Sequence, residues 1–142
     1  MSRPARLIAV AAALLALSGA AQAASVTVVV DGATSDGAMR VSLCAGGLDP
    51  RNCPFGDSAP ARGGTARFSF PEIRPGTYAA AAFQDVNGNG RLDRTPAGLP
   101  VEPYGFSNGV GRTAPPRFER AAFPVDGPTV VRVRIDLPPP GR

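Results

Sequence analysis

Short apolar runs of period two are the feature that most restricts how this chain can fold. Several segments place an apolar residue at every second position or are β-branched throughout, and turn-forming residues bound each of them. Successive side chains of a strand point to opposite faces, whereas an amphipathic helix needs a period of about 3.6 residues. The segments that fit a strand are 25–30, 39–44, 65–70, 77–83 and 129–137.

The segment 77–83 is the one with a competing interpretation, because it contains four consecutive alanines and alanine has high helix propensity. The run is short and directly follows a Pro-Gly pair, and an Asp-Asn-Gly region comes just after it. Those boundaries are typical of a strand, so we predict a strand here.

These segments together predict an all-β fold, an antiparallel β-sandwich of about seven strands with one long loop near residues 84–116. Residues 117–125 are a weaker strand candidate, in which Phe118 and Phe123 are expected to contact the core. Residues 54–64 contain two prolines and an adjacent glycine pair, so we expect irregular structure there. Ile73 is expected to point inward from a turn.

The segment 1–23 has the pattern of a secretory signal peptide. Two arginines precede an apolar run at residues 7–17, and a small-x-small cleavage site ends at Ala23. A retained membrane anchor is the alternative, but the apolar run is shorter than a bilayer span requires. We therefore predict cleavage after Ala23, one β-sandwich domain over residues 24–142, no membrane span after cleavage, and a periplasmic or secreted location.

The charge pattern argues against nucleic acid as a partner. Cleavage removes Arg3 and Arg6 from a chain of formal charge +4, which leaves +2. No basic patch is interleaved with aromatic residues on one strand face, and Arg132 and Arg134 fit the solvent-facing side of a strand. The expected partner is an unidentified envelope or extracellular component.

Cys44 and Cys53 enclose a short loop rich in glycine and proline. In an exported chain, two cysteines this close in sequence are typical of a disulfide. A metal or redox pair is the alternative, but the spacing is not C-x-x-C and the chain has no histidine to complete a zinc site. We predict a structural disulfide between Cys44 and Cys53.

Residues 85–93, here called the asparagine loop, have the pattern of a calcium-binding loop. Oxygen-bearing side chains alternate at Asp85, Asn87 and Asn89, and Gly90 follows the third of them. Calcium takes about six to eight oxygen ligands, and a tight turn at glycine lets backbone carbonyls face the ion. The predicted calcium ligands are Asp85, Asn87, Asn89, the Arg91 carbonyl, Asp93 and Glu102.

The asparagine loop also departs from the helical calcium loop. The twelfth position of that loop carries a bidentate glutamate, whereas this chain has Pro96 there, so Glu102 would have to fold back to replace it. With few carboxylates, the affinity for calcium is expected to be modest. The alternative is that Asn-Gly-Asn-Gly is turn chemistry alone, with the asparagines bonding to their own backbone at positive φ. The residues leave both interpretations open.

Residues 98–108 contain two aromatic residues in a segment longer than a simple connection requires. We identify Tyr104, Phe106 and Asn108 as candidate binding residues. The competing interpretation is that the two aromatic residues pack against the core in a small satellite cluster and so hold the long loop in place. Aromatic residues in long loops more often have this role, so we favour it.

Catalytic groups are scarce in this sequence. It contains no histidine and its cysteines are predicted to be oxidised, so the usual general bases and nucleophiles are nearly absent. We therefore predict a module that is not an enzyme. An interaction or ligand-binding module that uses Tyr104 and Phe106 without metal is the alternative, and a hydrolase based on Asp85, Asp93 and Glu102 is less favoured.

Several short motifs occur in a fixed order along the chain. They are PGTYA at 75–79, DVNGNGRLD at 85–93, GLP at 98–100, YGFSN at 104–108 and PPxFExAxF at 115–123. This order resembles the bacterial family known as domain of unknown function 2141. The resemblance implies a small exported protein with an immunoglobulin-like or transthyretin-like sandwich, and it implies no activity.

Two further points follow from that resemblance. Members of the family often have histidine where this chain has Gln84, so a possible ligand or proton carrier is missing here. The asparagine loop is also similar to the calcium loops of collagen-adhesin B modules, which adds to the calcium prediction.

Overall fold

Eight β-strands form two sheets in the computed structural model, which describes residues 23–137. The strands are β1 (Ala24–Ala33), β2 (Ala38–Cys44), β3 (Phe55–Pro60), β4 (Gly64–Ile73), β5 (Gly76–Asp85), β6 (Tyr104–Phe106), β7 (Phe123–Val125) and β8 (Pro128–Arg134). One short helix, α1 (Phe118–Ala121), and 3-10 turns at Pro50–Asn52 and Ser107–Gly109 complete the described part. The predicted signal peptide lies outside the described residues except for Ala23.

The strands pair as a β-sandwich, which confirms the predicted fold class. The first sheet has the order β4-β1-β8, and the second has the order β3-β2-β5-β6 with β7 also paired to β5. All pairings are antiparallel except β1 with β8, which is parallel. Parallel neighbours need a long connection. Almost the whole domain lies between β1 and β8 in sequence, so it supplies that connection.

The core lies between the two sheets and is built from the inward-facing residues of the alternating runs. β1 contributes Val26, Val28 and Val30, which are fully buried. β2 contributes Met39, Val41 and Leu43, while Arg40 and Ser42 lie on its outer face, as the alternation predicts. Full burial of one such side chain stabilises the fold by roughly 1.5–3 kcal/mol.

All five strong strand predictions correspond to strands, namely β1, β2, β4, β5 and β8. The alanine run forms the middle of β5, where Ala80 and Ala82 face the core. Ile73 is buried as expected, although it ends β4 and is not part of a turn. The last strand is shorter than predicted because β8 ends at Arg134, and Leu137 is exposed.

The weaker predictions were wrong at three places. Residues 55–60 form β3 instead of irregular structure, and β3 pairs with β2 alone at the sheet edge, where proline is tolerated. Residues 104–106 form β6 inside the predicted long loop. Residues 118–121 form helix α1, so only 123–125 of the weaker strand candidate is a strand.

Cys44 and Cys53 form the predicted disulfide, which ties the last residue of β2 to a residue two positions before the start of β3. Closing so short a loop stabilises the fold by roughly 2–3 kcal/mol in the chain-entropy description. Disulfides persist in oxidising compartments, so the bond fits an extracellular or periplasmic protein. Among the described residues, no helix is long and apolar enough to cross a membrane.

Candidate functional site

The asparagine loop begins where β5 ends, and its first residue, Asp85, has a fully buried carboxylate. Oδ1 accepts a hydrogen bond from the Asn89 backbone N–H at 3.1 Å, and Oδ2 accepts one from the Gly90 backbone N–H at 2.8 Å. Oδ2 also accepts the Arg40 Nε–H at 2.9 Å. The Asp85 carboxylate therefore holds the turn at Asn89 and Gly90 in place and joins this turn to β2.

Sheet register explains why Arg40 reaches this carboxylate. β2 and β5 are antiparallel with Ala38 opposite Asp85, so Arg40 lies two positions further along on the same sheet face. Arg40 is 45 residues from Asp85 in sequence. Local sequence patterns carry no signal for this pair, and the sequence prediction missed it.

The hydrogen bonds around Asp85 decide its charge state. Burial by itself raises the pKa of the Asp85 carboxyl, but the hydrogen bonds from Arg40, Gly90 and Asn89 outweigh burial and hold the pKa below its usual value. Asp85 is therefore ionised at neutral pH.

The side chains of Asn87, Asn89 and Asp93 meet on the exposed side of the loop. The Asn87 amide Nδ2 donates to Asp93 Oδ2 at 2.6 Å. The Asn89 amide Nδ2 donates to both Asp93 oxygens, at 2.8 and 2.9 Å. The loop thus brings three of the predicted calcium ligands together, because both asparagine amides contact the Asp93 carboxylate.

The turn chemistry considered as an alternative to calcium is also present in the loop. Asn87 Oδ1 accepts the Asn89 N–H at 3.2 Å, and Asn89 Oδ1 accepts the Arg91 N–H at 2.9 Å. The positive φ angles belong to Gly88 and Gly90, at 72° and 80°, so the asparagines themselves need no left-handed conformation. Calcium loops use the same turns, so these bonds do not choose between the two interpretations.

Glu102 folds back onto the loop, but it contacts backbone N–H groups. Oε1 accepts the Val86 N–H at 2.9 Å and Oε2 accepts the Asp93 N–H at 3.0 Å, and the side chain is buried. One carboxylate therefore holds the beginning and the end of the loop together. Within residues 23–137, no cluster of three or more His, Cys, Asp or Glu side chains could hold a metal ion.

Gln84 is fully buried next to the asparagine loop, and its side chain has a structural role. Its Oε1 accepts the Thr34 N–H at 3.0 Å, and its Nε2 donates to the Thr34 hydroxyl and the Asp36 carbonyl, each at 2.6 Å. These bonds tie β5 to the connection between β1 and β2. All side-chain polar atoms of Gln84 are thereby used, so nothing of it faces a ligand.

Tyr104 and Phe106 lie on one face of β6 and line a cleft of about 590 Å³, here called the aromatic cleft. The apolar residues that line it include Leu99, Pro100, Tyr104, Phe106, Pro115 and Pro116, and Arg94 and Arg112 also line the cleft. The two rings pack edge to face at 6.2 Å between centroids, and the Arg112 guanidinium lies 5.9 Å from the Tyr104 centroid.

Tyr104 also anchors the chain that follows it. Its ring is largely buried, and its hydroxyl donates to the Gly111 carbonyl at 3.0 Å. Arg112 forms an ion pair with Asp136 and donates to the Arg134 carbonyl at 2.8 Å. These contacts match the satellite-cluster interpretation, yet the same residues leave an open cleft beside them.

Asn108 lies outside the lining of the aromatic cleft. Its amide Nδ2 donates to the Arg120 and Ala122 carbonyls, at 3.1 Å each, so the side chain caps the end of α1. The preceding residue, Ser107, is buried, and its hydroxyl donates to the Ala121 carbonyl at 2.6 Å. The structure therefore separates Asn108 from the two aromatic residues with which it was grouped.

These features define a small β-sandwich closed by a disulfide, with an oxygen-rich loop at one end of the second sheet and an aromatic cleft next to it. The chain belongs to the family described as an uncharacterized protein conserved in bacteria (DUF2141), which matches residues 28–132. The predicted resemblance is thereby confirmed. No curated protein and no solved structure matches the chain.

Proposed function

We propose that this protein is an exported, non-catalytic β-sandwich module whose asparagine loop binds a calcium ion. The observation that carries the proposal is the convergence of Asn87, Asn89 and Asp93 above the buried carboxylate of Asp85. The ligands would be these four side chains and the Arg91 carbonyl. Their donor atoms are all oxygen, which is the ligand type that calcium prefers.

The contacts within the loop set the expected strength of calcium binding. Binding replaces the three N–H contacts that the Asn87 and Asn89 amides make to Asp93 by contacts from the two amide oxygens to the ion. Arg40 neutralises Asp85, and Glu102 is held by two backbone N–H groups, so Asp93 supplies most of the free negative charge. With so few charged ligands, a dissociation constant of about 10⁻⁴–10⁻³ M is expected, as in extracellular calcium modules.

Two further observations support the non-catalytic and exported parts of the proposal. A general acid needs a raised pKa, whereas the pKa of Asp85 is lowered. The disulfide and the signal-peptide pattern both favour an oxidising compartment outside the cytoplasm.

Calcium is expected to raise the melting temperature of the purified protein relative to a chelator. Ligand that binds only the folded state at ten times its dissociation constant stabilises by about 1.4 kcal/mol. For a domain of this size that corresponds to a rise of roughly 5 °C. Asp93→Asn removes the free carboxylate and is expected to abolish the rise, measured by thermal melts with calcium, magnesium and chelator.

Asp57→Asn is the matched control, because Asp57 is an exposed aspartate on β3 whose carboxylate accepts, within residues 23–137, only the neighbouring Ser58 N–H. It should respond to calcium as the wild type does. A wild-type protein whose melting is unchanged by calcium would contradict the proposal and leave the loop as turn chemistry.

The aromatic cleft supports a second candidate function, an interaction module that binds a ligand or envelope partner without metal. Its volume falls within the range of small-molecule sites. Its walls are mostly apolar, and Arg94 among its lining residues adds positive charge, so the cleft suits an apolar group that carries negative charge. Tyr104 is held by its neighbours, so Phe106, which is only partly buried, is the better residue to test.

An anionic aromatic dye, an anilinonaphthalene sulfonate, is expected to bind the native protein through this cleft. Phe106→Ala should weaken binding by roughly tenfold, the loss expected when a phenyl ring no longer buries the dye. Val130→Ala is the control, because Val130 is exposed on the first sheet, away from the cleft. Dye fluorescence titrations measure both, and equal affinities for the two variants would contradict a binding role for the cleft.

A further inference from the structure

Three Asn-Gly pairs occur in the described chain, at Asn87, Asn89 and Asn108. Asparagine followed by glycine is prone to deamidation because glycine has no side chain to hinder attack by its backbone nitrogen. Two of the pairs lie in the asparagine loop, and the structure places the three in different hydrogen-bonding environments. We propose that Asn87 is the site at which this protein undergoes spontaneous covalent modification, while Asn89 and Asn108 are protected by the fold.

The reaction needs only water. The Gly88 backbone nitrogen loses its proton and bonds to Asn87 Cγ, the bond from Cγ to Nδ2 breaks, and Nδ2 leaves as ammonia with that proton. The product is a five-membered succinimide. Water then adds to either carbonyl of the ring and opens it, which gives aspartate or isoaspartate. No electrons are gained or lost.

The attacking nitrogen is free at Asn87. Among the described residues, the Gly88 N–H has no hydrogen-bond acceptor, and the space around Gly88 is open. In the part of the chain that the structure describes, the Asn87 amide is held only by contacts on the exposed side of the loop, with Asp93 Oδ2 and the Asn89 N–H. Water replaces such contacts readily, so the side chain can turn toward Gly88.

The corresponding nitrogen is not free at Asn89. The Gly90 N–H donates to the buried carboxylate of Asp85 at 2.8 Å, and the Arg40 guanidinium lies close to Gly90. An N–H that donates to a carboxylate is harder to deprotonate and is held in a fixed direction. The Asn87 and Asn89 amides are each bonded on both polar atoms on the exposed side of the loop, so the difference between the two pairs lies in the glycine nitrogen.

Asn108 is protected through its own side chain. Its amide nitrogen donates to two backbone carbonyls at the end of α1, those of Arg120 and Ala122. Attack by Gly109 requires Asn108 Cγ to move away from both carbonyls and leave them without this donor. The fold thus protects Asn89 by holding the attacking nitrogen of Gly90, and it protects Asn108 by holding the side-chain amide.

Modification of Asn87 changes the charge at the centre of the loop. The product has a carboxylate where the Asn87 amide donates to Asp93 at 2.6 Å, so a hydrogen bond becomes a contact between two negative charges. This consequence rests on the proposed function: the aspartate form offers calcium one more charged ligand and binds it more tightly than the original chain. The site of modification itself does not depend on calcium.

The test follows deamidation of the purified protein with chelator present, at mildly alkaline pH, by tandem mass spectrometry of tryptic peptides. Cleavage at Arg91 and Arg112 separates Asn108 from the other two residues, and fragment ions distinguish Asn87 from Asn89. In the folded protein, Asn87 is expected to react on the order of tenfold faster than either, the ratio that one net hydrogen bond can produce.

Two controls complete the experiment. In guanidinium chloride the three rates should converge, because all three residues precede glycine and only the fold distinguishes them. Asn87→Gln should remove the fast reaction, because glutamine would have to form a six-membered ring. Folded protein in which Asn89 or Asn108 reacts as fast as Asn87, or in which Asn87 is as protected as they are, would overturn the proposal. A calcium-insensitive protein with fast deamidation at Asn87 would overturn only the proposed function.

Discussion

Replacing Gly105 with alanine is expected to destabilise the protein by about 3 kcal/mol or more, at the upper end for added volume in a packed site. Gly105 is the buried middle residue of β6, where the end of β8 crosses it. A Cβ atom at this position would lie 2.0 Å from the Arg134 carbonyl oxygen and 3.2 Å from Val133 Cγ1.

The clash is severe because its main partner is backbone. The Arg134 carbonyl cannot turn away as a side chain would, so either β8 or β6 has to shift. β6 holds Tyr104, which bonds to both Asp136 backbone groups, and it pairs with β5 through Ala82 opposite Gly105. The substitution is therefore expected to weaken the contact between the two sheets at β6 and β8. It should also disturb the aromatic cleft, which β6 lines.

Gly56→Ala is the matched control for Gly105→Ala. Gly56 also lies in a strand, β3, but the nearest atom to its added Cβ is the Val41 carbonyl oxygen at 3.6 Å, an ordinary contact. Its stability should change by no more than about 0.5 kcal/mol. Urea unfolding followed by circular dichroism measures both variants, and a Gly105→Ala protein as stable as Gly56→Ala would contradict the packing described for β6.

The second large effect is expected for Asp85→Ala, with a loss of about 2–4 kcal/mol in the free energy of unfolding. Removing the carboxylate leaves the N–H groups of Asn89 and Gly90 without their acceptor and the Arg40 guanidinium without its partner. Breaking a buried ion pair by removing one partner costs roughly 3–5 kcal/mol. The Arg40 side chain is 36% exposed, so water recovers part of that loss.

Asp126→Ala is the control for Asp85→Ala, because Asp126 is an exposed aspartate in the turn between β7 and β8. It should stay within about 0.5 kcal/mol of the wild type. Urea unfolding at neutral pH gives both values. If Asp85→Ala cost no more than Asp126→Ala, Asp85 would not organise the loop as described.

The destabilisation by Asp85→Ala should depend on pH in a defined direction. The folded-state pKa of Asp85 is below its unfolded value of about 3.9, so its stabilisation is present above that pH and is lost as pH falls through the folded pKa. The gap between wild type and variant should therefore be constant near neutral pH and shrink below about pH 4. The pKa of Asp31 is also lowered, chiefly by the hydrogen bond from the Thr65 hydroxyl. Both proteins contain Asp31, so its contribution cancels in the stability difference between them.

Most of the β-sandwich could be predicted because strand alternation is a local property. The valines of β1 and the Met39, Val41 and Leu43 series of β2 show their faces directly in the order of residues. β3 escaped prediction because it has no clear apolar alternation of its own, and β6 escaped it because three residues are too few to show one. β3 is at a sheet edge and carries a proline, and β6 is three residues long with a glycine whose role is visible only against β8.

The candidate site shows the same division. The spacing of Asp85, Asn87, Asn89 and Asp93 predicts that their side chains share one loop, and the structure brings them together. The partners of the two buried carboxylates were not predictable. Arg40 reaches Asp85 through the register of β2 against β5, and Glu102 bonds to backbone N–H groups at both ends of the loop.

The sequence by itself determined the β class, the core faces of four strands, the disulfide between Cys44 and Cys53, and the position of the asparagine loop. Each of these depends on residues that are near one another in the chain. Only the tertiary structure decided the parallel pairing of β1 with β8, the Arg40–Asp85 pair, and which Asn-Gly nitrogen is free to react. The physical reason is that these features depend on strand register and on hydrogen bonds between distant segments, which exist only after the sheets have formed.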